Sequence, residues 1–243
     1  MLFLYKGAFH FYQSIDKYLV EMVSFEVFAL KSNIPLKVLI WYYTTIELNR
    51  KSMTNLNIQN FEITKLTNPS FVRPVRLNYS INASDKTWEA VKSHDSVSVL
   101  LYHTTKDAFL LVKQFRAPVF MNHDNYRFTY ELCAGIVDKN ISLTEIAKEE
   151  IEEECGYQVD INSIEKITSF FTNVGVSGAK QHLFFAKINE SMKIGEGGGV
   201  NDEYIEKEFV SIEDSKAFIY DESKAKTPGL MFAFYWFYEK FQR

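Results

Sequence analysis

Cysteine, histidine and long apolar runs are all scarce in this 243-residue chain. Its two cysteines, Cys133 and Cys155, stand in neither a CxxC nor a zinc spacing. A reduced pair of small buried side chains in a cytoplasmic protein is the expected reading, with a disulfide between them as the alternative. The five histidines form no cluster, so His103, His123 and His182 read as ordinary strand or loop residues. Within residues 1–52 the longest uncharged apolar run, Val38 to Ile46, is far short of the roughly 20 residues that span a bilayer. The start has neither the basic segment nor the small-residue cleavage site of a signal peptide. No membrane partner is therefore expected. A formal charge of −4 likewise argues against nucleic acid, whose backbone needs a concentrated basic stripe. No internal repeat or low-complexity tract is visible.

What the chain does have is enough apolar material, 47%, to bury a full core in one domain with an appendage. Residues 1–52 are crowded with aromatics such as Phe3, Phe9, Trp41 and Tyr43 and lack turn signals. They are expected to be a loosely packed addition or an upstream region placed ahead of a start at Met53, with a short helical extension as the alternative. Residues 53–95 form an N-terminal β region and residues 96–243 the main domain. From Val75 short runs rich in Val, Leu, Tyr and Phe alternate with polar turns at Asn82–Lys86 and Thr104–Asp107, which predicts a meander. RFTYELC, residues 127–133, is a further strand; IEKITSFF, QHLFFAKI and YIEKEFVSI follow, then a C-terminal helix from about Gly229. Strands on either side of a central helix, with a second helix behind, predict an α/β fold: a mixed sheet with helices on both faces.

The central helix lies in Ala134–Tyr157, AGIVDKNISLTEIAKEEIEEECGY. Ser142 and Glu145 make a capping box, Ile141 and Ile146 a hydrophobic staple, and Gly156 a left-handed stop. At 100° per residue Leu143, Ile146, Ala147, Ile151 and Cys155 form the core-facing stripe, while Glu145, Glu149 and Glu152 face solvent. Glu150 and Glu154 fall inside the apolar arc and Glu153 on its edge. Unpaired carboxylates are costly there, so a cation is expected among them. An all-oxygen donor set favours Mg²⁺, with Mn²⁺ as the alternative, over zinc. A divalent metal on an acidic helix points to phosphate chemistry.

Glu150 to Tyr157, following Gly135, resembles the Nudix box with its REUXEEXGU element, U being a bulky apolar residue. Glu149 stands where the box has arginine, and Ile141 where it has its first glutamate. The resemblance implies an α/β/α sandwich. It further implies metal binding by Glu150, Glu153, Glu154, the carbonyl of Ala134 before the box glycine Gly135, and Glu203 from a late loop. Arg116 in KQFR would grip the diphosphate and Lys180 would contact substrate. Glu203 or a box glutamate would act as general base.

TWEAVKSHDSVSVLLYH, YELCAGIVDKNISL, FFTNVGVSGAKQHLFFAKI and GEGGGVNDEYIE together resemble the UDP-sugar diphosphatase branch, over roughly residues 71–237. The loop from Asn173 to Lys180 lacks the acid typical of ADP-ribose diphosphatases, the nearest alternative. The expected activity is cleavage of a nucleotide sugar, UDP-glucose foremost, to UMP and sugar 1-phosphate. A binding or regulatory module with a decayed site, prompted by Glu149, is the alternative of another class. The resemblance also implies a homodimer with exchanged N-terminal strands. The glycine-rich segment Gly195–Glu206 is expected to be a mobile loop whose acidic end, Asp202 and Glu203, reaches the metal site.

Overall fold

A computed structural model of the chain describes residue 56 and residues 58–69, 72–200 and 203–242. The expectations for residues 1–52, Met53 and Asp202 fall outside these residues. The chain from Ser96 onward builds an eight-stranded mixed sheet. Its centre is β3 (Ser96–His103) and β4 (Ala108–Gln114), joined by the anticipated turn. β3 runs parallel to β8 (Lys180–Ile188), which pairs antiparallel with β7 (Glu165–Phe171) at the edge. β4 pairs on one side with β9 (Ile205–Ser211) and on the other with β5 (Thr129–Glu131), beyond which lies the short β10 (Ala225–Lys226).

β3 and β4 pair only over Leu101–His103 and then separate. This splits the single strand expected at RFTYELC: β5 follows β4, the chain breaks at Leu132, and β6 (Cys133–Ile136) crosses to pair with the first half of β3. The break is imposed by a change of partner, which no local pattern encodes.

Both faces of the sheet are covered. Along β3, Val97, Val99 and Leu101 enter one apolar cluster and Leu100 and Tyr102 the other, which is why the strand reads as an unbroken apolar run. Helix α1 (Ala117–Asn122) follows β4, and the acidic helix α2 (Leu143–Glu150) lies on the first face. Helices α3 (Ile212–Tyr220) and α4 (Pro228–Phe241) lie on the second. α4 buries Leu230, Ala233, Phe234, Phe237 and Tyr238 at helical spacing. Its Phe234 stacks on Phe109 at 4.2 Å between ring centres. α1 and α3 were not anticipated, although Pro118 in the first turn of α1 and the Ser211 cap accepting from Asp214 N–H are ordinary helix starts. Among the described residues no helix is long and apolar enough to cross a membrane.

The N-terminal β region is a separate hairpin, β1 (Arg73–Ile81) with β2 (Ser84–Lys92), and does not continue into the main sheet as the meander predicted. Its turn is also tighter than expected. Only Asn82 and Ala83 form it, both with positive φ (50° and 60°), the geometry that matches strand twist in two-residue hairpins. Ser84–Lys86 are strand. The hairpin is tied to the β7–β8 loop by Trp88 Nε1–H donating to Gly175 O at 2.9 Å and Val91 N–H to Val176 O at 2.8 Å.

Candidate active site

The site is assembled on the first face by α2, β6 and the loop before β9. α2 starts at the expected capping box: Ser142 Oγ accepts from Glu145 N–H and the Glu145 carboxylate from Ser142 N–H. Ile141, intended for the staple, stays 39% exposed. Beyond Glu150 the helix widens into a π turn over Ile151–Cys155 and stops at Gly156, φ 74°. Ile146, Ala147, Ile151 and Cys155 are buried with Leu143 against them, as their spacing requires. Cys133 and Cys155 are free thiols, both buried.

Glu154 accompanies the apolar stripe inward and is 5% exposed. Its Oε2 accepts the Ala134 N–H at 2.9 Å. Glu150 lies against the neighbouring residue of β6, and a methyl group on Gly135 would fall 1.9 Å from Glu150 Oε1. The box glycine is therefore a space requirement of the carboxylate. Burial, followed by the charge of Glu153, pushes Glu150 up to about 7, against the pull of Lys139. Burial pushes Glu154 up to about 8; the Ala134 N–H draws it down while Glu150 and Glu203 raise it further. These are carboxylates short of positive charge.

The glycine-rich loop packs on the same helix. It is hydrogen-bonded onto the carboxyl end of α2: Gly198 N–H donates to Glu154 O at 2.9 Å, Gly199 N–H to Glu153 O at 3.1 Å and Ile194 N–H to Gly156 O at 2.9 Å. Gly197, with φ 63°, approaches so closely that a methyl group would lie 2.3 Å from Glu154 O. These bonds satisfy carbonyls that a helix end leaves open. Beyond the loop, Glu203 folds back to accept Val200 N–H at 3.0 Å and adds its charge to Glu150 and Glu154.

Two cations stand beside the acids. Arg116, at the start of α1, makes a two-pronged pair with Glu131, and the charges of Glu154 and Glu203 also act on it. Lys139 bonds Glu149 at 2.5 Å, so the acid in the position of the box arginine is matched by a lysine from the preceding loop. Neither Glu131 nor Lys139 was anticipated. The signal for Glu131 was its two-residue steps to Cys133 and Gly135, but Leu132 breaks the strand and hides it. Lys180 sits at the head of β8 with its ammonium 5.1 Å from the centre of the Phe171 ring, and its N–H bonds Asp95. Among the described residues no three Asp, Glu, His or Cys side chains are gathered closely enough to hold a metal ion.

The chain is 31% identical over 196 residues to uridine diphosphate glucose pyrophosphatase NUDT14 of Bos taurus, covering 69% of this chain and 88% of that one. It is 30% identical over 198 residues to NUDT14 of Mus musculus, covering 70% and 89%. The chain belongs to the Nudix family of nucleotide-sugar diphosphatases. Within the Nudix family it is also 36% identical over 112 residues to GDP-mannose pyrophosphatase of Pectobacterium atrosepticum, covering 46% of this chain and 56% of that one. No family model matches the chain. This Nudix protein is an enzyme, and its relatives are nucleoside diphosphate sugar pyrophosphatases.

Proposed function

We propose that the enzyme hydrolyses the diphosphate of UDP-glucose to UMP and glucose 1-phosphate with Mg²⁺, or Mn²⁺ in its place. The observation that carries the metal requirement is the pair Glu150 and Glu154. Both are turned onto the core side of α2 and pushed up by burial and by neighbouring carboxylates, an arrangement that a bound cation relieves. The donors fit a hard ion. Glu150 and Glu154 would hold it with the Ala134 carbonyl, joined by Glu153 and Glu203. When bound, the ion supplies positive charge to the phosphate oxygens and lowers the pKa of the attacking water.

The chain's own groups do the remaining work. Arg116 presents a guanidinium to the diphosphate. Glu203, exposed at the rim, or a box glutamate accepts the proton of the water. Gly135 keeps the floor of the site clear for Glu150. Lys180 extends the substrate surface along the β7–β8 loop. That loop carries no acid between Asn173 and Ala179, which supports a UDP-sugar over ADP-ribose, and the names of the NUDT14 relatives point the same way.

The working unit is a homodimer formed through the N-terminal β region in a reducing, cytoplasmic setting. The hairpin face bearing Val75, Leu77, Tyr79 and Trp88 is exposed, Leu77 at 47% and Trp88 at 52%, which is more contiguous apolar surface than a lone hairpin needs. Light scattering at micromolar concentration should give twice the chain mass, and Leu77→Asp the single mass. A monomeric wild type refutes the dimer. For the chemistry, release of UMP from UDP-glucose, AMP from ADP-ribose and GMP from GDP-mannose is compared with and without Mg²⁺. Preference for UDP-glucose that vanishes without metal and in Glu154→Gln is expected. Preference for another substrate overturns the assignment.

A further inference from the structure

We propose that Glu131 is a positioning residue that fixes the plane of the Arg116 guanidinium for the substrate diphosphate. The inference rests on the reading of Arg116 given above. Arg116 lies between β4 and a short helix, in extended backbone with φ −118°, and its side chain is 46% exposed. A long, half-exposed arginine has many rotamers, and besides Glu131 the carboxylates whose charge acts on it are those of Glu154 and Glu203. Collapse onto them would remove the cation from the diphosphate and neutralise the acids.

Glu131 prevents this from a rigid base. Its side chain is only 12% exposed, and the register of β5 against β4, Val112 opposite Glu131 and Gln114 opposite Thr129, fixes its backbone. Oε1 accepts from Arg116 Nε at 2.8 Å and from Thr129 Oγ1 at 2.6 Å, and Oε2 accepts from Arg116 Nη2 at 2.8 Å. The pair uses two of the five guanidinium N–H donors, leaving those on Nη1 and one on Nη2. The free edge is the one left for an anion. A fork held along one edge is also planar and preorganised, which reduces the ordering cost of a two-pronged bond to phosphate oxygens.

The test compares wild type, Glu131→Gln, Arg116→Lys and the double variant in two assays. One is kcat and KM for UDP-glucose. The other is calorimetric binding of methylenediphosphonate, a diphosphate with an unhydrolysable bridge, in excess Mg²⁺. Glu131→Gln should raise KM and the diphosphonate Kd by about tenfold or more, with kcat changed less than KM. Arg116→Lys should cost a similar factor, and the double variant little beyond either alone, because both remove one unit. The binding assay does not require turnover. Absent hydrolysis of UDP-glucose with the Kd pattern intact refutes the substrate reading and leaves the positioning role standing. Glu131→Gln binding diphosphonate within twofold of wild type overturns the proposal, whatever its melting temperature; so do losses that multiply in the double variant. Should Glu131→Gln fold poorly, Thr129→Val removes one anchor of the same carboxylate and should raise Kd severalfold, and an unchanged Kd there also counts against it.

Discussion

On one face of the sheet α4 lays Leu230, Phe234 and Phe237 against Phe109. On the other, α2 lays Ile146, Ala147, Ile151 and Cys155 against the same strands and carries Glu150 and Glu154 in with them. Both helices use an apolar stripe, yet the first face contributes stability at about 1.5–3 kcal/mol for each large side chain buried. The second gives part of that back to hold charge out of water. The aromatic face supplies the stability against which the acidic face is held.

The sharpest separation of the two faces comes from Phe237, which touches Tyr102, Phe109, Phe185 and Phe241. Phe237→Ala should lower unfolding free energy by about 3–5 kcal/mol in chemical denaturation, with KM unchanged below the melting temperature. On the acidic face Glu154→Gln should behave in the opposite sense. Turnover with Mg²⁺ should drop on the order of a hundredfold or more, while the metal-free melting temperature stays level or rises. A fall in metal-free stability like that of Phe237→Ala would erase the contrast.

Gly135→Ala comes next. Its added methyl group must displace the Glu150 carboxylate, at about 1–3 kcal/mol for overpacking, so Mg²⁺ affinity by calorimetry should weaken while circular dichroism stays native. The smallest effect is on pH dependence. The folded pKa values of Glu150 and Glu154, about 7 and about 8, lie above the ordinary 4.5, so the native state holds protons that the unfolded chain has released. The contribution of these two groups to the stability of the metal-free protein is therefore full below about pH 4.5 and is lost as pH rises from there through 7 to 8. The melting temperature should decline over that window, the decline should shrink in Glu154→Gln, and Mg²⁺ should reverse it. A flat profile would mean the carboxylates are already relieved.

How much of this was legible depended on how local the cause was. β3, β4 and β8 are buried on both faces and announce themselves as apolar runs. The capping box and the misplaced Glu150 and Glu154 follow from helical spacing alone. Glu131 did not show, because its role depends on where Arg116 returns across a strand pair. The docking of the glycine segment was hidden for a related reason: the carbonyls that its amides meet belong to a distant helix end. Lys139 escaped because a lysine in a turn is usually just solvated, and only its contact with Glu149 distinguishes it.

The bonds from Gly198 and Gly199 to the carbonyls of Glu154 and Glu153 have a kinetic consequence. Gly198 and Gly199 cannot lift without unzipping the end of the helix that bears Glu153 and Glu154. Amide exchange at those two glycines then reports directly on that opening. It should slow on metal binding in step with the amide of Ala134, which is held by Glu154 from the opposite side.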